Sequence, residues 1–265
     1  MSKITAIIQA RMGSTRLPGK VLKPILGRPM LELMLERVKR AEKLDEIVVA
    51  TSDNAEDDIL ATFVNGYGLK VFRGSEKDVL DRFYQAAKFM GADEKTVIVC
   101  LLADCPLQDP SVIDEGLEHF TNAKDPLALA GTVLNYPEGL DFNVFTFGAL
   151  EEAAKNARLP SEREHVARYF INHPERFPVL QWKTGDGDYS KMHWSVDTLH
   201  DFEFVTKIYE HLYPINPNFN KDKVLALLAQ HPEFIAINKG GTGYEGLAKS
   251  LKEDEEFKKS NHGSK

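Results

Sequence analysis

Ile7-Ile8-Gln9-Ala10-Arg11-Met12-Gly13-Ser14-Thr15-Arg16-Leu17-Pro18-Gly19-Lys20-Val21-Leu22 begins as an apolar strand and turns into a loop with two glycines, two hydroxyls and three cations. Such a loop suits a polyphosphate: glycine lets the backbone come close, amide N–H groups point at the anion, and fixed cations neutralise it. The plainer reading is a surface loop that happens to be basic. Two familiar phosphate patterns do not apply. Five residues separate Gly13 from Gly19, and Val21 stands where a Walker-type loop has Ser or Thr. The glycine spacing of a dinucleotide fold is also missing.

Around this stretch, the first half of the chain alternates apolar runs with helical periods. Ile4–Ala10, Glu46–Ala50, Leu69–Phe72 and Thr96–Leu102 read as strands, apolar with little alternation, as buried parallel strands are. Between them, Pro29–Ala41, Ala55–Val64 and Glu76–Met90 carry helical spacing, and a further helix starts at Asp109-Pro110-Ser111. Ser75 and Asp78 resemble a capping arrangement. A βαβαβαβα order implies a mostly parallel sheet covered on both faces, a three-layer α/β/α fold.

The second half is less regular. Leu127–Leu134, Asn143–Thr146 and Lys191–Val196 read as strands. Phe147–Asn156, His165–Asn172, Leu199–Leu212 and Lys221–Gln230 read as helices, with Ser161-Glu162-Arg163-Glu164 as a capping box. Asn238–Tyr244 is a Gly-rich turn. The chain reads as a single domain over 1–250, with a regular half over 1–125 and a less regular half over 126–250. The charged stretch 251–265 is expected to be a disordered tail.

The 265 residues carry a net charge of −7, which argues against a general nucleic-acid binder. Cys100 and Cys105 are too few for a disulfide framework or a zinc site, and reduced thiols in a cytoplasmic protein are the expectation. No stretch reaches the ~20 apolar residues of a membrane helix, so no membrane partner is expected.

Three features fall at the ends of expected strands, which share one edge in a parallel sheet. They are the basic loop, Asp104 and Asp197. Two carboxylates with three cations could make a metal–polyphosphate site, because Mg²⁺ takes oxygen ligands from one or two carboxylates plus phosphates. Each aspartate also has a plainer role: a turn or helix cap for Asp104, and the N-cap of the following helix for Asp197.

The opening stretch resembles the start of the cytidylyltransferases that make CMP-sugars, such as CMP-Kdo and CMP-sialic acid synthetases. Its nearest likeness is to the branch named after a spore-coat polysaccharide biosynthesis protein. Leu101-Leu102-Ala103-Asp104-Cys105-Pro106-Leu107 and Ser195-Val196-Asp197-Thr198-Leu199-His200-Asp201 are similar to the two metal-binding segments of that family, with Leu199 in place of a common proline. The resemblance implies a Rossmann-like mixed, mostly parallel sheet of the nucleotide-diphospho-sugar transferase type. It implies Mg²⁺ on Asp104 and Asp197, and Arg11, Arg16, Lys20 and Asp104 as catalytic residues. It further implies nucleotide contacts from Ala10, Arg11, Gly13, Ser14, Arg16, Lys20, Arg73, Gly74, Ser75 and Asp78.

Gly139–Phe145 and Ser161–Val166 resemble acceptor-lining segments of the branch, which suggests Asp141, Arg163 and His165. Asn143 stands where the branch commonly has Glu. The implied reaction joins CMP from CTP to a small acidic acceptor and releases pyrophosphate, in cell-surface polysaccharide or glycoconjugate synthesis, in a homodimer. Alternatives are a sugar-1-phosphate nucleotidylyltransferase, a glycosyltransferase using Asp186-Gly187-Asp188 as its metal motif, and a non-catalytic coat or capsule assembly factor. Cys105 has no His or Asn partnership and reads as a small apolar residue rather than a nucleophile.

Overall fold

The computed structural model describes residues 2–123, 128–129, 135–178, 187–238 and 245–262. In chain order the elements begin with β1 (Ile4–Gln9), a short hairpin of β2 (Pro24–Ile25) and β3 (Arg28–Pro29), and α1 (Met30–Val38). Then come β4 (Glu46–Ser52), α2 (Asp58–Gly66), β5 (Lys70–Gly74), α3 (Val79–Phe89), β6 (Val97–Leu102) and α4 (Pro110–Asn122). The second half adds β7 (Ala128–Leu129), β8 (Asn143–Thr146), α5 (Phe147–Asn156), α6 (Pro160–Glu164) and α7 (Arg168–Asn172). It closes with α8 (Leu199–Leu212), α9 (Lys221–Gln230), α10 (Pro232–Ile235) and α11 (Glu245–His262).

The main sheet runs β5-β4-β1-β6-β8-β7. Its first four strands are parallel, and β8 joins antiparallel to β6, so the sheet is mixed and mostly parallel. Alternation along the strands sends side chains to two cores. Ile8, Val49, Val99 and Leu101 pack with Leu33 of α1, Leu60 of α2, Ile113 of α4 and Ile208 of α8. Ile7, Val48, Ala50, Ile98 and Cys100 pack with Phe83 of α3, Leu150 of α5 and Phe170 of α7. That is the three-layer arrangement.

This topology locates a crevice. The chain steps outward from β1 to β4 to β5 through helices on one face, then crosses by α3 on the other face and returns to β6 beside β1. The direction reverses between β1 and β6, and ligands in open α/β sheets bind outside the carboxyl ends of the strands at such a point. The basic loop leaves β1 there, and Asp104 follows β6.

Several elements differ from the sequence expectations. Lys191–Val196 does not ladder into a sheet. It runs extended across the end of β6, with one bridge between Glu138 and His193, because its amides bond singly: Trp194 N–H to Glu138 O and Val196 N–H to Asp104 O. The helix expected from His165 begins earlier, at Pro160, and breaks at His165. Ser161 is not its cap, since Glu162 reaches back to the Leu159 N–H. Asp78, rather than Ser75, caps α3 by accepting from Asp81 N–H.

The tail expected to be disordered from residue 251 is the body of α11 as far as His262. Its inward polar groups meet polar partners: Asp254 accepts from the N–H and hydroxyl of Ser161 at 2.9 and 2.6 Å, and Ser250 donates to Glu164. Only Ala128–Leu129 of the expected 127–134 strand, and Asn238 of the Gly-rich turn, lie within the described residues. No helix among the described residues is long and apolar enough to cross a membrane.

Candidate active site

The 3₁₀ turn at Lys20–Leu22 starts from Gly19, whose φ of 69° lies in the left-handed region. This turn aims Lys20 inward. Its ammonium meets Asp104 Oδ2 at 3.0 Å, Asp197 Oδ1 at 3.1 Å and the Val196 carbonyl at 2.6 Å. Lys20 is buried. Burial opposes its charge, but Asp104 and then Asp197 outweigh that, and its pKa is raised. Arg16 pairs with the same Asp197 oxygen at 2.9 Å.

Two aspartates 93 residues apart in sequence, Asp104 just after β6 and Asp197 at the end of the extended segment 191–196, therefore meet on one cation. The capping alternative for Asp197 does not hold, because Thr198 is the N-cap of α8 and leaves the Asp197 carboxylate free to face the cleft. Asp201 completes that cap. Its Oδ2 accepts from Thr198 N–H at 2.8 Å and Asp197 N–H at 3.1 Å.

The basic loop folds around one carbonyl. Ser14 N–H and Gly19 N–H both donate to Met12 O, at 2.8 and 2.9 Å. Asp57, fully buried, ties the loop to β4: it accepts from Met12 N–H at 2.6 Å and from Ser52. Ala10 is buried and donates to Ala50 O. Gly13 lies against the Glu56 carboxylate, where an added Cβ would sit 2.6 Å from Oε1.

Arg11 makes no side-chain hydrogen bond or ion pair among the described residues. It lies close enough to Arg82 to help burial depress that guanidinium to about 10. Lys20, expected as a phosphate contact, is turned toward the two aspartates. Its three donors are engaged, so it holds the two carboxylates together, and Arg11 is the cation left to meet an incoming anion.

The expected base-reading residues are held by their neighbours. Arg73 donates to the Ser52 and Asn54 carbonyls and pairs with Asp58. Ser75 Oγ accepts from Asp78 N–H at 3.0 Å. Arg82, absent from the sequence candidates, donates to the Ser75 and Glu76 carbonyls and holds the segment after Gly74.

Of the expected acceptor residues, Asp141 belongs to the cleft. It is exposed there and accepts from Gly139 N–H at 2.8 Å. Its pKa is raised by the protein mass that desolvates it, and by Glu138 and Asp104 nearby. Arg163 instead pairs with Asp78 and donates to Ala154 O. His165 meets Ser250 of α11 at 3.2 Å. Neither shares a partner with Asp104, Asp141 or Asp197.

The Cys105 thiol is buried, and burial together with Asp104 pushes its pKa well up, so it stays protonated. Asp188 accepts from the N–H and hydroxyl of Ser190 in a turn, and Asp186 lies outside the described residues.

This is a crevice at a reversal of strand order with two convergent carboxylates and a glycine-bearing basic loop. A family model described as cytidylyltransferase matches residues 5–238. The chain belongs to the cytidylyltransferase family. It is a nucleotidyltransferase of the Rossmann-like type. The spore coat polysaccharide biosynthesis protein SpsF of Bacillus subtilis is 34% identical over 248 residues, 88% of this chain and 97% of its own. A 3-deoxy-manno-octulosonate cytidylyltransferase of Geobacter sulfurreducens is 40% identical over 132 residues, 49% of each chain. The solved structure of a cytidylyltransferase from Leptospira borgpetersenii matches with a TM-score of 0.83 at 31% identity, covering 91% of this chain and 99% of that one.

Proposed function

We propose that this cytidylyltransferase transfers CMP from CTP to a small acidic sugar or related acid, releases pyrophosphate and depends on Mg²⁺. The observation that carries the reading is the meeting of Asp104 and Asp197 on the Lys20 ammonium, within 3.1 Å, beside the loop that leaves β1.

The donor set fits a hard cation. Two carboxylates that share one ammonium are close enough to share one metal ion, and substrate phosphates and water would complete the oxygen shell. Among the described residues no cluster of three or more His, Cys, Asp or Glu side chains competes for that place. When bound to Asp104 and Asp197, Mg²⁺ would supply Lewis-acid polarisation of a phosphoryl oxygen and neutralise charge there.

The chain's own residues do the rest. Lys20 fixes the two carboxylates, and Arg16 supports Asp197. Arg11 and the Gly13 backbone offer positive charge to the leaving pyrophosphate. The acceptor hydroxyl oxygen attacks the α-phosphorus in line and gives its proton to solvent, the bond from the α-phosphorus to the α–β bridging oxygen breaks, pyrophosphate leaves with that oxygen, and no protein nucleophile is required. We assign Asp141, in the same cleft with a raised pKa, to the acceptor's hydroxyl. The likeness to SpsF and to a 3-deoxy-manno-octulosonate cytidylyltransferase supports an acidic-sugar acceptor used in surface polysaccharide synthesis. CTP as substrate and two unpaired cysteines fit work in the cytoplasm.

The test is CTP-dependent pyrophosphate release against a panel of sugar acids with Mg²⁺. Release with CTP and a sugar acid, and little with GTP or UTP, is the expected result. Equal use of all nucleotides, or no release with any acid, would defeat the proposal.

A further inference from the structure

We propose that His193, held between Glu138 and Asp201, is a positioning residue that keeps the two acidic segments of the cleft, 138–141 and 197–201, in register. The inference rests on the reading of Asp197 as a cation ligand. Four observations support it.

First, the ring sits at a junction. Nδ1 meets Glu138 Oε2 at 2.6 Å, and Nε2 faces Asp201 Oδ1 at 3.8 Å and Ser195 Oγ at 3.3 Å. The side chain is 7% exposed, so these contacts operate away from bulk water.

Second, each carboxylate leads one step further into the site. Asp201 uses its other oxygen to hold the Asp197 and Thr198 N–H groups. Glu138 immediately precedes Gly139, whose N–H holds Asp141 Oδ1. A single imidazole therefore stands behind both cleft aspartates without touching either.

Third, the backbones of the two segments are stitched at the same level. Trp194 N–H donates to Glu138 O at 2.8 Å, and Asn238 donates to His193 O at 2.6 Å. Gly139 is pressed so closely on this segment, with φ of 98°, that an added Cβ would sit 2.7 Å from Ser195 N. The ring cannot shift without moving both loops.

Fourth, the charges match a cation. Among the described residues, Glu138 and Asp201 are the charged groups that face the ring. Asp201 first, and Glu138 next, raise its pKa to about 10. Asp201 is itself lowered, its bond to His193 working against the cost of its burial. An ordinary buried histidine is neutral and satisfied by carbonyls, whereas this one separates two buried or half-buried carboxylates that would otherwise repel across the segment carrying Asp197.

The test needs no acceptor. Mn²⁺ binding to the full chain is titrated by electron paramagnetic resonance for wild type, Asp197→Asn, His193→Gln and His193→Arg. A residue that orients a ligand from behind typically changes metal affinity ~10–100-fold. Expected are loss of binding in Asp197→Asn, a drop of that size in His193→Gln, and recovery of most of it in His193→Arg, which restores a cation with two donor edges.

Unchanged affinity in His193→Gln, with Asp197→Asn still defective, overturns the role of His193 alone. Equal binding by wild type and Asp197→Asn overturns the reading of Asp197 and this inference with it. A second measurement avoids variants that fail to fold. A long-range ¹H–¹⁵N spectrum of wild type at pH 8 should show both His193 nitrogens protonated, and a neutral ring would refute the proposal.

Discussion

Replacing Lys20 with Met is the sharpest perturbation of the cleft. The change keeps most of the side-chain volume and removes one buried ammonium. In the native chain that group lies 3.0 Å from Asp104 and 3.1 Å from Asp197. Both carboxylates are less than a third exposed, so solvent screens them only in part. Without the ammonium, two like charges about 5 Å apart, the spacing of two acceptors on one tetrahedral ammonium, repel by roughly 3 kcal/mol at an effective dielectric of ~20. That agrees with the ~3–5 kcal/mol typical of breaking a buried pair by removing one partner. The Val196 carbonyl also loses its partner.

Lys20→Met should therefore lower unfolding free energy by about 3 kcal/mol at pH 7 in urea melts. Mg²⁺ should return part of the loss at pH 7 by taking the place of the ammonium. CTP-dependent pyrophosphate release should fall ~10²–10³-fold, the usual cost of removing one preorganised electrostatic group. A variant as stable as wild type at pH 7 would refute the argument that Lys20 holds two charged carboxylates together.

The other expectations can be checked separately. Asp104→Asn should abolish pyrophosphate release and leave the circular dichroism spectrum unchanged; an active variant would remove Asp104 from the chemistry. Gly139→Ala should destabilise the chain by more than the ~1–3 kcal/mol of backbone strain alone, because the new methyl meets Ser195 N and Trp194 C as well, and a shift in melting temperature reads it. Asp254→Ala should cost about 2 kcal/mol through its two bonds to Ser161 and speed amide exchange throughout α11. His193 has a raised folded pKa, so its stabilising ion pairs are fully present below about 6.5 and are lost as pH rises through about 10. Wild type should lose stability over that upper range, whereas His193→Gln should not.

The parts of this molecule legible from residues alone are those in which one local pattern serves one purpose. Apolar runs that end in a charged residue mark β1 and β6, and with them the loop at Arg11 and the carboxylate at Asp104. Helical spacing marks α8 and α9 to the residue. The remainder depends on contacts between distant segments. Asp57 falls inside the helix expected over Ala55–Val64, yet its carboxylate holds the N–H of Met12, 45 residues away. Arg82 looks like an exposed helical cation, yet it is buried beneath Ser75.

Arg163 and His165, expected on the acceptor side, are held by Asp78 and Ser250, which no short-range pattern pairs with them. The C-terminal stretch misleads for the opposite reason. Its charge density suggests a solvated tail, whereas α11 docks through Ser250 and Asp254 onto polar groups of α6, an interface with little apolar signature.

The central claim is that the loop after β1, Asp104 and Asp197 together hold a metal-bound nucleotide triphosphate. Anomalous diffraction from a crystal grown with CTP and Mn²⁺ tests it most directly. The account predicts a manganese peak within coordinating distance of both carboxylates, with the triphosphate lying against Arg11 and Gly13. A metal bound elsewhere, or a triphosphate in a different cleft with Asp197 still paired only to Lys20 and Arg16, would contradict it.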